Sequence, residues 1–169
     1  TRGQFSMTVQ VSWKDGELKR GAVIKGLGEL ARELEMEIKV RFTEPHKRQR
    51  MAIMVTRESH CFERLQQAIE QGALKKAEVA LVIGNRNDLE PMVKSLSLPF
   101  VQVPWEDRAR AESQALQILD EHQIDFIVLA RFMKILSPNV VWRFKNKIIN
   151  IHPSLLPSFP GAQAYRQPY

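Results

Sequence analysis

Asp125–Ile151, DFIVLARFMKILSPNVVWRFKNKIINI, decides the fold. Its first five residues, Asp125–Leu129, are a short apolar run that fits a strand covered on both faces. Pro138–Phe144 predicts a short helix, with Pro138 suited to a first helical turn. Lys147–Ile151 is again rich in β-branched residues and predicts a strand. Strand, helix and strand in so few residues make a parallel pair with a right-handed crossover. The same alternation continues upstream. Met51–Thr56, MAIMVT, predicts a buried strand, Cys61–Gln71 a helix, and Glu78–Ile83 a second buried strand closed by Gly84 and Asn85. Leu89–Ser95 predicts a helix, Phe100–Val103 a strand, and Arg108–His122 a long helix with Ala111, Ala115, Leu116 and Leu119 on one side. Five strands alternating with helices predict an α/β fold, a Rossmann-like doubly wound parallel sheet over residues 51–169. No G-x-G-x-x-G follows Met51–Thr56, so a dinucleotide site is not expected.

The front of the chain has a different rhythm. Phe5, Met7, Val9, Val11 and Trp13 alternate as on a half-buried strand. Lys14-Asp15-Gly16 signals a turn. Val23, Leu27, Leu30 and Leu34 have helical spacing within Glu17–Glu35, and Glu37–Phe42 predicts another strand. The pattern fits the later half of a ferredoxin-like βαββαβ unit. The expected organisation is a partial small domain over 1–43, a polar linker over 44–50 and the parallel-sheet domain over 51–169. The first residue is not Met, so a chain truncated at both ends is the expectation.

Composition excludes several classes. At 169 residues, 44% hydrophobic and 26% charged, the chain has the make-up of a globular protein. No apolar run approaches the roughly 20 residues that span a bilayer, so no membrane partner is expected. The one cysteine, Cys61, rules out an internal disulfide and fits a reducing, cytoplasmic setting. A formal charge of +6 suits polyanionic ligands in general. The only basic cluster is His46, Lys47, Arg48 and Arg50, read as a solvated linker, and no basic stripe is interleaved with aromatics. Nucleic acid is therefore not an expected partner. The four histidines, His46, His60, His122 and His152, have no metal-ligand spacing, and no metal is expected.

Candidate chemistry sits at the end of the opening stretch. Asn150 and His152 lie two apart on the last predicted strand, so both side chains face the same way. An amide and an imidazole then converge at a strand's carboxyl end, where open α/β sheets bind ligands. Pro153, Pro157 and Pro160 stiffen the following loop, which also carries Ser154 and Gly161.

Asn150–Pro157, NIHPSLLP, resembles the signature of the folate-dependent formyltransferases and of the family's hydrolytic branch, the formyltetrahydrofolate deformylases. Ile127–Ser137, IVLARFMKILS, resembles the family's pterin-binding loop. The resemblance implies that Asn150 and His152 are catalytic and that Phe132, Met133, Lys134, Ile135 and Leu136 bind folate, mainly through the main chain. It implies no separate cofactor, 10-formyltetrahydrofolate being the substrate. The family's third catalytic residue, an Asp, is expected beyond Tyr169, which would leave residues 1–169 alone inactive. The strand-end loops and the front segment both resemble the hydrolytic branch. The loop Thr56-Arg57-Glu58-Ser59-His60 has no glycine with which to hold a substrate phosphate, and Arg131 stands before the pterin loop. The front segment resembles half of an ACT domain. That likeness implies a small amino-acid effector and a homo-oligomer in the complete protein. The implied activity is hydrolysis of 10-formyltetrahydrofolate to tetrahydrofolate and formate, in one-carbon metabolism and purine biosynthesis. The order His152-Pro153-Ser154-Leu155-Leu156-Pro157 is closer to the transferases. A glycinamide ribonucleotide formyltransferase, or a regulatory ACT module, is therefore the alternative.

Overall fold

The computed structural model describes residues 7, 9–14, 16–42 and 47–150. The chain divides into two units, Thr1–Lys47 and Arg48–Tyr169.

Among the described residues of the first unit there is one regular element, α1 (Arg20–Glu33). Glu17 N–H donates to Lys14 O at 3.1 Å in the turn before it, with Gly16 at φ 83°. Val23, Leu27 and Ala31 form its half-buried stripe, while Ile24 and Leu30 are exposed. The helix is shorter than the Glu17–Glu35 expected. Glu35 takes a positive φ of 50°, which ends it. The Arg20 guanidinium lies over the Phe42 ring, 5.3 Å from its centroid. Among the described residues, neither 9–13 nor 37–42 forms a strand, a correction to both expectations. A strand exists only through its ladder, and alternation of side chains specifies a face without supplying the partner. Phe5, Ser6 and Thr8 of the first expected strand lie outside the described residues.

The second unit alternates as predicted: β1 (Gln49–Val55), α2 (His60–Glu70), β2 (Ala77–Gly84), α3 (Glu90–Ser95), β3 (Phe100–Gln102), α4 (Arg108–Glu121), β4 (Phe126–Ala130), α5 (Pro138–Arg143) and β5 (Ile148–Asn150). The strands form one sheet in the order β3-β2-β1-β4-β5, and every pair is parallel. Residues 51–55 of β1 are all buried, because β1 is the central strand and both its faces are covered. Its alternate residues enter two separate cores. Met51, Ile53 and Val55 pack with Phe62 of α2 and Val93 of α3. Ala52 and Met54 pack with Ala111, Ala115, Leu116 and Leu119 of α4 and with Val140 beside Phe144. That division is the doubly wound arrangement seen from one strand. A register shift between Met51 and Ala52 skips Ala80, so Leu81 and Ile83 lie opposite Ala52 and Met54 and share their core.

The linker expected over 44–50 ends earlier. Gln49 and Arg50 are already in β1, and Arg50 is structural. Its main chain exchanges bonds with Asp125, N–H to Oδ2 at 2.8 Å and O from Asp125 N at 2.8 Å. Its guanidinium donates to His122 O at 2.8 Å and to Glu78 at 3.2 Å. One arginine thus ties β1, β2, the end of α4 and the start of β4 at the amino edge of the sheet. None of the helices among the described residues is long and apolar enough to cross a membrane.

Candidate active site

Because all five strands are parallel, their carboxyl ends lie along one edge. The strand order reverses at β1: β2 and β3 lie on one side, β4 and β5 on the other. Such a switch point opens a crevice, since the connections from neighbouring strands leave in opposite directions. A cleft of about 280 Å³ lies there. Four of the five strand ends contribute: Thr56 after β1, Asn85 and Arg86 after β2, Trp105 and Glu106 after β3, Met133 and Lys134 after β4.

The β4 loop forms one wall. Arg131 has φ 57°, a left-handed conformation uncommon for a side-chain-bearing residue, and it turns the chain sharply out of the strand. Phe132 then points inward, 7% exposed, with its ring edge-on to Trp105 at 5.1 Å and 83°. Met133 N–H donates to Thr56 Oγ1 at 3.0 Å, which ties the β4 loop to the end of β1. Of the five residues expected at the folate, Met133 and Lys134 line the cleft. Phe132 and Leu136 pack into the core instead, because the loop must bury its own apolar base. Ile135 stands 74% exposed.

The facing wall comes from residues that periodicity could not single out. The Arg86 guanidinium is braced by Asp88, Nε to Oδ2 at 2.8 Å. That hydrogen bond, ahead of any other influence, holds the Asp88 carboxyl below its usual 3.8. Asn85 and Trp105 are 8% and 7% exposed. Asn85 Oδ1 and Trp105 Nε1 are buried with no hydrogen-bond partner among the described residues, so this wall keeps unused polar capacity. A signal for these residues did exist: each immediately follows a predicted strand on the ligand-binding edge.

Asn150 is the last residue of β5 and lies opposite Leu129 of β4, exposed. It is one strand beyond the β4 wall and is not among the residues that line the cleft. His152, Ser154 and Gly161 lie outside the described residues. No group of acidic, His and Cys side chains suited to a metal occurs among the described residues.

An open parallel α/β sheet with a polar cleft at its switch point places the second unit in the Rossmann-like fold class. The chain belongs to the formyl transferase family, which matches residues 49–169. Over 132 residues it is 42% identical to the formyltetrahydrofolate deformylase of Escherichia coli O6:H1, covering 77% of this chain and 47% of that protein. The structure of a formyltetrahydrofolate deformylase from Pseudomonas syringae pv. tomato superposes with a TM-score of 0.66 at 32% identity, covering 88% of this chain and 50% of that one. A phosphoribosylglycinamide formyltransferase from Bacillus halodurans gives 0.63 at 34% identity, covering 69% and 62%. The chain spans about half the length of the curated relatives it matches.

Proposed function

We propose that the complete protein hydrolyses 10-formyltetrahydrofolate to tetrahydrofolate and formate, serving one-carbon metabolism and purine biosynthesis in the cytoplasm. The observation that carries this is coverage. The likeness to the Pseudomonas deformylase takes in 88% of this chain, part of the first unit included, whereas the likeness to the Bacillus formyltransferase takes in 69%. Sheet geometry favours neither. The loop Thr56–His60 supports the same choice, since it has no glycine and Glu58 would repel a phosphate. The first unit, over about 1–43, is then the partial ACT-like regulatory domain. It would serve a small amino-acid effector and homo-oligomer formation in the full-length protein.

In this reading water gives up a proton to a base as its oxygen attacks the formyl carbon, a tetrahedral oxyanion forms, and the bond from carbon to the folate N10 breaks as that nitrogen gains a proton and formate leaves. Asn150 donates its amide N–H to the oxyanion, an interaction typically worth about 3 kcal/mol of barrier. His152 donates to the same oxygen or delivers the proton to N10. The cleft wall at Met133 and Lys134, with Phe132, Ile135 and Leu136 beside it, receives the pterin. Ser154 and Gly161 belong to the adjoining loop, and a carboxylate beyond Tyr169 completes the set.

The test is formate release by the full-length protein with and without glycinamide ribonucleotide. Turnover with water alone is expected. Strict dependence on the ribonucleotide would establish the transferase alternative, which the His152-Pro153-Ser154 order favours. Asn150→Ala and His152→Ala should each lower kcat by about 100-fold or more, and near-normal turnover in either would remove that residue from the mechanism.

A further inference from the structure

The β4 loop is held from α4 by a side chain that breaks the pattern around it. Glu112 lies on the apolar side of α4, next to Ala111 and within a turn of Ala115 and Leu116, and is only 6% exposed. A carboxylate in that position is unfavourable unless its oxygens are engaged. Both are engaged by one residue. Ser137 N–H donates to Oε1 at 2.7 Å and Ser137 Oγ–H donates to Oε2 at 2.5 Å.

Ser137 departs from its usual role as well. It is the N-cap of α5, in extended conformation with φ −71° and ψ 160°, yet its side chain makes no capping bond. A serine there ordinarily accepts from the first helical turn. Here the hydroxyl turns back to Glu112. Two local preferences are given up for a single contact, which is the mark of a position set by function rather than by stability.

That contact lies at one end of the cleft-lining segment. The other end is Met133, whose N–H is held by Thr56 Oγ1 at 3.0 Å. Between the two fixed points, Lys134, Ile135 and Leu136 make no hydrogen bond with any described residue. Their amide and carbonyl groups are unspent and held at both flanks. Such a stretch suits a flat heterocycle that carries donors and acceptors along one edge.

We propose that Glu112 is a positioning residue. With Thr56 it fixes Met133–Ser137 at two points and so presets the main chain of Lys134–Leu136 for the folate ring. The ligand part of this rests on the function proposed above; the preorganisation does not. Glu112 touches no ligand and acts only through Ser137.

Two measurements on the full-length protein separate the parts. Backbone ¹⁵N order parameters of Lys134–Leu136 without ligand read the preorganisation. We expect about 0.85 in the wild type, falling below about 0.6 in Glu112→Gln and in Ser137→Ala. Titration calorimetry with tetrahydrofolate reads the consequence. Each variant should weaken binding about tenfold, Ser137→Thr should retain it, and the double variant should be no weaker than either single, as for residues that act through one contact. Ser137→Ala removes one oxygen at a half-buried site and serves if Glu112→Gln does not fold. Unchanged order parameters in the variants would overturn the proposal. So would wild-type affinity in variants that have merely lost thermal stability. If the wild type failed to bind tetrahydrofolate while the order parameters still fell, the positioning role would stand and the folate assignment would fall.

Discussion

Gly84 closes β2 just before Asn85 and Arg86 enter the cleft wall, and replacing it with alanine probes that wall. A Cβ at this position would overlap the Arg86 carbonyl oxygen and come within 2.5 Å of the Phe100 ring. The two clashes differ in kind. Phe100 is half-buried on the three-residue strand β3, so its ring can yield. The Arg86 carbonyl is main chain, and the two residues before it are pinned by Asn85 N–H to Val55 O at 3.3 Å and by Val103 N–H to Gly84 O at 2.8 Å, which leaves it less room to yield. Overpacking by a methyl group costs about 1–3 kcal/mol, and a clash against main chain belongs at the top of that range, about 3 kcal/mol. With a urea m-value of about 2 kcal/mol per molar, the midpoint should fall by about 1.5 M. Phe100→Leu should restore only the ring's share, about half of the loss. Urea unfolding of the wild type, both single variants and the double variant measures this. A Gly84→Ala midpoint equal to wild type would refute the steric reasoning. Complete rescue by Phe100→Leu would show that the Arg86 carbonyl imposes no constraint.

Arg50→Met should cost about 2 kcal/mol in the same assay, from loss of the guanidinium bonds to His122 O and Glu78. The bonds of the Arg50 main chain to Asp125 would survive, so a loss within about 0.5 kcal/mol would reassign the joint to those bonds. A carboxyl ¹³C titration of Asp88 should give a midpoint below 3.8, returning to the ordinary value in Arg86→Met. The sign follows from the depressed value: the folded state gains from this pair above pH 3.8, and the gain disappears as pH falls through the lowered pKa. An unchanged midpoint in Arg86→Met would mean that Arg86 does not hold Asp88.

The second unit was legible because its cues reinforce one another. MAIMVT is apolar without alternation, as a central strand must be, and each later strand is spaced from the last by a helix. The boundaries fall within two residues of the expected ones. The first unit was legible only as a helix. Val23, Leu27 and Ala31 define a face by themselves, since a helix makes its own hydrogen bonds. The alternation of Phe5–Trp13 and the run Glu37–Phe42 needed a ladder partner that no local pattern could name. Arg50 was misplaced for a related reason. Within TEPHKRQR it resembles its solvated neighbours, and its partners Glu78, His122 and Asp125 lie 28, 72 and 75 residues away.

The site divides along the same line. Met133 and Lys134 could be found because their motif is contiguous. Asn85, Arg86, Trp105 and Glu106 were not singled out, because they lie on two separate loops that only the sheet brings beside the β4 loop. Yet the sheet does not decide the chemistry. The chain superposes on a deformylase and on a formyltransferase nearly equally, at 0.66 and 0.63. Choice of acceptor must therefore reside in what the strand ends present. At the end of β1 this chain presents Glu58, and Glu63 sits in the first turn of α2. Carboxylates there occupy the positive end of the helix dipole. A phosphate-bearing amine would have to displace that charge, and the glycine-free loop gives it no main-chain cradle in exchange. A water molecule needs neither. The proposed choice of water over a phosphate-bearing amine therefore rests on the missing glycine and on Glu58, whose charge Arg57 beside it partly offsets.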